Sequence, residues 1–349
     1  MQYNPLGSEE LKAVIRGYSC ASRIPILFHP WIDSQVFQNP DDRNTVKGIL
    51  QQYPVDAQII PWRGPGIFDA PLDDPEYRWV NYSKPATFKE GALDEQIAIT
   101  SWDQLDGIIE SFPKTDYPGM FVNLPKPDGR YRIGHWWYTL FERHWSLRGM
   151  TNALTDYYTN PNEVHRLFRS LTDFYLGVIN RSKDELQADA VYTTDDLGTQ
   201  KGPFFSNKMF DEFYAPYYKE LIDRAHDLDM HFWLHTCGNI EPLLPKLIKL
   251  GIDVIHPIQK YAMDEDKIMK QYGGKICFWV GFDVQKIIPF GNVEEVRQEV
   301  HHLIDTYFRK DGLFMLTAGN GITEDAPIQS LKMLFEESIQ YGTEKVRQA

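Results

Sequence analysis

The stretch LHTCGN, residues 234–239, follows an apolar run that begins at Met230 and is typical of a buried strand. Successive side chains of a strand point to opposite faces, so His235 and Cys237 share one face. An imidazole and a thiol placed side by side where a strand ends can supply two ligands for a zinc ion. The motif therefore predicts a metal site, provided that its strand belongs to a sheet whose strand ends converge.

Short apolar runs alternate with helical patterns along the 349 residues of the chain. This alternation predicts parallel strands joined by right-handed crossovers. We predict eight strands, at residues 24–28, 57–60, 120–123, 190–194, 232–235, 252–257, 276–280 and 313–316. Eight strands with intervening helices indicate an α/β fold, a TIM (β/α)8 barrel in one domain over residues 1–349. The runner-up is a doubly wound open sheet, which usually carries a glycine-rich loop that is missing here.

Helical periodicity and end signals predict the helices between these strands. A long amphipathic helix is expected at 161–186 with Asn160 as its N-cap, and Asn292 with Glu295 forms a predicted capping box. Further helices are expected at 206–228, 239–251, 263–272, 292–310 and 328–341. The segment 61–113 is rich in Pro and Asp and poorly periodic. We expect it to form an elaborated loop region over the mouth of the barrel.

Composition limits the classes of partner. The formal net charge of −13 argues against nucleic acid and against an anionic membrane surface, which leaves a small-molecule substrate. Three cysteines are too few for a disulfide framework. The polar residues 1–8 and the lack of a long apolar run predict a cytoplasmic protein without a membrane span. Aromatic residues make up 14% of the chain, which fits either a pocket for a flat ligand or a densely packed core.

In a TIM barrel the chemistry lies at the carboxyl ends of the strands, where several polar residues of this sequence are expected to meet. Asp195, Asp196 and Asp283 are candidate catalytic residues, acting as a general base or a substrate anchor. A helix-cap or salt-bridge role is equally open for one of the two adjacent aspartates. The candidate substrate-binding residues are polar or aromatic and expected near the mouth: His29, Gln259, Asn239, Asn320 and Trp137.

Several stretches, most of them in the second half, resemble the uroporphyrinogen decarboxylase superfamily. Besides HTCGN at 235–239, they are LRGM at 147–150, DDLGTQ at 195–200, YAPYYK at 214–219, GID at 251–253, PIQ at 257–259 and GFDVQ at 281–285. The superfamily is known for two chemistries on a TIM barrel. One is decarboxylation of the acetate arms of a tetrapyrrole without a cofactor, and the other is zinc-dependent methyl transfer linked to corrinoids.

The resemblance is closer to the methyltransferase branch. True decarboxylases carry an N-terminal Met-Arg-Gln-Ala-Gly-Arg signature that holds substrate carboxylates, whereas residues 29–33 of this chain read HPWID. In the methyltransferases a His-x-Cys pair binds zinc, with a second cysteine in a Gly-Cys-Gly context at the end of the eighth strand. Asn320 occupies that position here, so the third ligand is open, with Gln259, Asp283 and Asn320 as candidates.

The resemblance thus implies a zinc-dependent methyltransferase that moves a methyl group between a small methylated substrate and a corrinoid or thiol acceptor. A partner protein would supply the corrinoid. Zinc with few thiolate ligands is a harder Lewis acid, which favours an oxygen ligand and O-demethylation. Two alternatives stay open: a decarboxylase of an acidic substrate, and a non-catalytic ligand-binding homologue with a metal-free His–Cys pair. The sequence leaves open the donor, the acceptor and whether the chain forms a homodimer.

Overall fold

The protein contains one parallel sheet in the computed structural model, which describes residues 4–53 and 55–349. Within these residues the sheet has seven strands, paired in chain order from the first to the seventh. The strands are β1 (Ala57–Pro61), β2 (Tyr131–Trp136), β3 (Ala190–Thr194), β4 (His231–His235), β5 (Val254–His256), β6 (Cys277–Phe282) and β7 (Phe314–Ala318). Helical segments separate most of these strands along the chain. The architecture is therefore α/β, with a curled parallel sheet.

Six of the eight predicted strands are confirmed to within a few residues, and the prediction at 120–123 is wrong. That region holds a short 3-10 helix at Pro118–Met120, and the second strand is β2, which we did not predict. All six residues of β2 are buried, although Arg132 and His135 are polar. Because these two side chains are polar, they interrupt the apolar pattern by which a buried strand is recognised. In the fold they are buried with hydrogen-bond partners that the sequence does not reveal.

The predicted first strand, at 24–28, is present only as a single parallel bridge. Ile26 pairs with Leu316 of β7, and the amide of Leu27 donates to the carbonyl of Leu316 at 3.0 Å. On its other side, the amide of Asp56, next to the start of β1, donates to the carbonyl of Ile26 at 3.3 Å. The segment therefore lies between the last strand and the first.

The helices follow the predictions with two differences besides shifts at their ends. The expected helix at 206–228 is divided at Tyr214, because Pro216 has no amide to donate. Asn160 makes no side-chain cap, whereas Asn292 and Glu295 form the predicted capping box. The helices are α1 (Ser8–Ile15), α2 (Pro40–Gln52), α3 (Leu105–Glu110), α4 (Phe141–Arg148), α5 (Met150–Thr159), α6 (Pro161–Leu186), α7 (Asn207–Phe213), α8 (Ala215–Asp227), α9 (Leu244–Leu250), α10 (Glu265–Tyr272), α11 (Ile287–Phe290), α12 (Val293–Tyr307) and α13 (Ile328–Arg347).

The segment 61–113 is mostly irregular, as expected, and packs against α4 and α6. Trp79 contacts Phe174 of α6 with ring centroids 5.0 Å apart, and the guanidinium of Arg143 lies over the Trp79 ring. In α4, Arg148 donates to the carbonyl of Ile99 at 2.6 Å. The position over the mouth stays a prediction. In the described part of the chain, every helix is too short or too polar to cross a lipid bilayer. Of the polar N-terminal segment predicted at 1–8, residues 1–3 lie outside the described residues.

Candidate functional site

Three neighbouring strands end at the same level and bring the candidate ligands together. In the pairing of β3, β4 and β5, Thr194 is aligned with His235, and His235 is aligned with His256. Aligned residues of parallel strands point to the same face, so the two imidazoles lie side by side. Asp196 follows the end of β3 by two residues, and Cys237 follows the end of β4 by two.

Asp196, His235 and Cys237 each present a ligand atom, and the three atoms lie within 4.8 Å of one another. The Nε2 atom of His235 is 3.3 Å from Sγ of Cys237 and 3.4 Å from Oδ1 of Asp196. Bond lengths of about 2.0–2.3 Å around a tetrahedral zinc put its ligand atoms about 3.3–3.8 Å apart. The three atoms are therefore of the types that bind zinc, and the imidazole nitrogen lies at zinc-like spacing from both the sulfur and the oxygen.

The oxygen that joins the two predicted ligands in this triad belongs to Asp196, which the sequence had not suggested for the third position. Oδ1 of Asp196 also accepts from the backbone amide of Cys237 at 2.7 Å. Gln259 instead accepts from the amide of Gly238 at 2.6 Å, and Asn320 donates to Sγ of Cys237 at 3.8 Å. These two side chains border the triad and orient the loop that carries the thiol.

The loop after β4 needs a glycine next to the thiol. Gly238 has φ of +85°, and a Cβ atom there would overlap the carbonyl oxygen of Gly198. A side chain at this position would therefore be strained and would also push the two loops apart. The close approach of these loops brings Asp196, which precedes Gly198, next to Cys237.

Burial and neighbouring charge set the protonation of the triad. Burial, together with the carboxylates of Asp196 and Glu142, raises the pKa of the Cys237 thiol well above its ordinary value. Burial opposes ionisation of Asp196, but the neighbouring imidazole of His235 and hydrogen bonds from Cys237 outweigh it and lower its pKa. Burial raises the pKa of Glu142 well above its usual range, and Asp196 and Asp195 add to the effect. The site thus gathers acidic groups that a cation would stabilise in their ionised forms.

Asp195 has a different environment from Asp196, although the two are adjacent. Its carboxylate is fully buried and accepts hydrogen bonds from the amides of Leu140, Phe141 and Glu142, at 2.7–3.1 Å. The hydroxyl of Tyr218 donates a fourth, at 2.7 Å. Burial raises its pKa to about 6 in spite of these bonds. This geometry favours the helix-cap role that the sequence left open, at the N-terminus of α4, and the catalytic role stays an untested prediction.

Asp283 and Asn239 also make hydrogen bonds that organise loops. Asp283 accepts from the amides of Gln285 and Lys286 at 2.8 and 3.1 Å and from the hydroxyl of Tyr261 at 2.6 Å. Asn239 accepts from the amide of Glu241 at 3.2 Å, at the start of a short 3-10 helix that precedes α9. The catalytic role predicted for Asp283 and the substrate contact predicted for Asn239 stay predictions.

Two cavities formed by described residues are associated with the candidate site residues. A cleft of about 50 Å³ is lined by Cys237, Gln259, Asp283 and Asn320 among others. A larger cavity of about 520 Å³ is mostly apolar, and its lining includes the predicted residues His29 and Trp137. Trp137 is 52% exposed, so it is not part of the packed core.

Four residues of the site escaped the sequence analysis: Trp31, His135, Glu142 and His256. The Trp31 ring stacks on His256 with centroids 4.9 Å apart, lies 5.5 Å from His235, and also lines the larger cavity. His135 is the penultimate residue of the unpredicted strand β2, and burial lowers its pKa to about 4. His256 lies at the end of a predicted strand, where a buried histidine in an apolar run was the signal that could have identified it.

The chain belongs to the uroporphyrinogen decarboxylase (URO-D) family, whose profile matches residues 143–341. Its similarity to individual proteins favours the methyltransferase branch of that superfamily. One curated relative is a protein of Methanosarcina mazei named methylcobamide:CoM methyltransferase MtbA, 23% identical over 182 residues. The match covers 51% of this chain and 50% of the relative, so the chain spans about half the length of the curated relative that it matches.

A solved structure shares the fold over nearly the whole chain. It is a methyltransferase from Methanosarcina mazei, with a TM-score of 0.59 at 13% sequence identity. The alignment covers 94% of this chain and 97% of that protein. At this identity the likeness establishes the common fold alone.

Proposed function

We propose that the protein is a zinc-dependent methyltransferase whose metal is held by Asp196, His235 and Cys237. The observation that carries the proposal is the spacing of the three ligand atoms, one nitrogen, one sulfur and one oxygen at the ends of adjacent strands. The family membership and the named activity of the M. mazei relative support methyl transfer as the reaction. Zinc with three protein ligands keeps one position for a substrate atom, whose acidity or electrophilicity it increases.

The proposed reaction moves a methyl group between a small methylated substrate and a corrinoid or thiol acceptor. In the thiol direction, the sulfur forms the new S–CH3 bond and its proton goes to solvent. The methyl group leaves the corrinoid cobalt without the bonding electrons, which stay on the cobalt. In O-demethylation, the methyl group passes from an ether oxygen to the reduced corrinoid, and the oxygen takes up a proton. Asp196, with its lowered pKa, is the ionised carboxylate beside this centre.

The residues around the triad have proposed positioning roles. Gln259 and Asn320 orient the Cys237 loop, while Trp31 covers the imidazole of His235 and keeps water from it. His29 and Trp137 line the larger cavity, which is the proposed seat of the substrate's apolar part. We also propose that the segment 24–28 completes the sheet to a (β/α)8 barrel, in one domain over residues 1–349. Cytoplasmic location, a corrinoid protein partner and a homodimer stay predictions.

A metal and methyl-transfer assay tests the proposal. The metal-free protein is loaded with zinc, dialysed and measured for bound metal, as wild type and as the variants His235→Ala, Cys237→Ser and Asp196→Asn. Cys20→Ser is the matched control, because Cys20 is a free cysteine outside the triad. Methyl transfer is then followed by the cobalamin spectrum, using methylcobalamin with a thiol, or reduced cobalamin with a methoxylated aromatic compound.

We expect one zinc per wild-type and control chain, and a loss of affinity of about 100-fold or more in the ligand variants, since even outer-shell partners contribute about 10–100-fold. Activity should fall with the bound metal. Equal, substoichiometric zinc in the wild type and in His235→Ala would refute the metal site. Zinc binding without turnover of any methyl donor would favour the non-catalytic homologue.

A further inference from the structure

A continuous chain of hydrogen-bonding atoms runs from the end of β7 to the proposed metal site. Nε2 of His256 lies 2.9 Å from the carbonyl oxygen of Ala318, the last residue of β7. Nδ1 of the same imidazole lies 2.6 Å from Nδ1 of His235. The other nitrogen of His235, Nε2, faces Sγ of Cys237 and the carboxylate of Asp196.

The carbonyl of Ala318, at one end of this series of hydrogen-bonding atoms, determines which imidazole nitrogens carry protons. A backbone carbonyl can only accept, so Nε2 of His256 must be the protonated nitrogen that donates to it. His256 is 1% exposed, and its contacts within the described residues include no carboxylate that would pair with a second proton. A neutral His256 then has its lone pair on Nδ1, and only a proton on Nδ1 of His235 makes the 2.6 Å contact a hydrogen bond.

We infer that His256 is a positioning residue that holds His235 in the tautomer with a free lone pair on Nε2. That lone pair is the one that points at Cys237 and Asp196, where the proposed zinc would bind. The inference deepens the proposed function and, in its metal-binding part, rests on it. Histidine ligands of metals commonly donate their other N–H to a carboxylate or a carbonyl, which fixes the ring and raises its basicity. Here a second imidazole, anchored on a strand end, performs that task.

Packing around His256 keeps its ring in the required orientation. The Trp31 ring lies nearly parallel to it, at 13° and 4.9 Å between centroids. Trp279 of β6 contacts it with centroids 4.6 Å apart. With the aromatic rings fixing its plane and the Ala318 carbonyl fixing one nitrogen, the His256 imidazole has little freedom to flip. The tautomer of His235 is therefore set by three strands, β4, β5 and β7, before any metal arrives.

The first test is NMR of metal-free protein with ¹⁵N-labelled histidine. His235 and His256 are assigned from the signals that disappear in His235→Ala and His256→Leu. We expect His235 to carry its proton on Nδ1 and His256 to carry its proton on Nε2. A proton on Nε2 of His235 in the wild type, or a doubly protonated His256, would overturn the inference. This measurement needs no metal, so it stands even if the proposed zinc site fails, and it needs only the folded wild type for its main result.

The second test compares zinc affinity between two replacements of His256. His256→Asn keeps an acceptor oxygen near the position of Nδ1, whereas His256→Leu has a similar size and no acceptor. We expect the leucine variant to bind zinc about 10–100-fold more weakly, as for other outer-shell partners, and the asparagine variant to recover most of the loss. A purely structural role for His256 would weaken both variants equally. Unchanged affinity in a folded leucine variant would refute the positioning role.

Discussion

Mutation of Asp195 is expected to lower the stability of the protein, whereas mutation of the adjacent Asp196 is expected to lower its zinc affinity. The carboxylate of Asp195 accepts four hydrogen bonds from buried groups, three of them backbone amides at the start of α4. Loss of an N-cap alone costs about 0.5–2 kcal/mol, and each buried donor left without a partner costs about 1–3 kcal/mol. Because neighbouring losses do not add fully, we expect Asp195→Ala to lower the free energy of unfolding by about 4 kcal/mol.

Two further variants separate this structural effect from chemistry. Asp195→Asn retains one acceptor oxygen but loses the charge, and we expect it to cost about 2 kcal/mol, since charge-assisted hydrogen bonds are roughly twice as strong as neutral ones. Asp196→Asn, in contrast, should change stability by less than about 1 kcal/mol and reduce zinc affinity. The assay is urea unfolding monitored by circular dichroism, together with zinc titration of each folded variant.

An Asp195→Ala protein that unfolds within about 1 kcal/mol of the wild type, binds zinc normally and has no activity would contradict the structural role of Asp195. That result would assign Asp195 to catalysis. It would mean that water or a rearranged loop accepts the hydrogen bonds of the backbone amides at the start of α4. A stability loss in Asp196→Asn as large as that of Asp195→Ala would contradict the expected difference between the two aspartates.

Three more predictions follow from single positions. Asn320→Cys should bind zinc at least tenfold more tightly, because it adds a thiolate to a side-chain position that borders Cys237, where Nδ2 of Asn320 now lies 3.8 Å from Sγ, and competition with a chromogenic chelator measures this. Gly238→Ala should lower the free energy of unfolding by about 2 kcal/mol or more, whereas Gly107→Ala, in a helix with nothing within 4 Å of the new Cβ atom, should raise it by about 0.5–1 kcal/mol. The neighbouring imidazole of His144 and hydrogen bonds from Arg148 and Trp102 outweigh burial and lower the pKa of Asp156 from 3.8 to about 2, so its stabilising contribution is complete above pH 4 and is lost as the pH falls through 2. Urea unfolding at pH 4.5 and pH 2.5 should therefore show a smaller acid-dependent loss of stability in Asp156→Asn than in the wild type, because the variant lacks the contribution of this one carboxylate.

The sequence alone determined the α/β class and most of the sheet. Strands such as β3 and β4 are apolar runs between turn signals, and local patterns of this kind do not depend on the rest of the chain. The sequence also identified His235 and Cys237 as one unit, because two residues separated by one position on a strand share a face in any sheet. The strand β2 could not be recognised in this way, since its arginine and histidine are buried with partners that lie far away in sequence.

The tertiary structure decided which residues complete the site. Asp195 and Asp196 look equivalent in sequence. In the fold, the amides at the start of α4 donate to the carboxylate of Asp195, and the carboxylate of Asp196 lies beside Cys237. His256 and Trp31 become part of the site through the alignment of β4 with β5 and through the return of the first segment beside β7. Such contacts join positions as far as 290 residues apart, as between Ile26 and Leu316, and their distances are set by strand register and packing, which no local pattern of residues encodes.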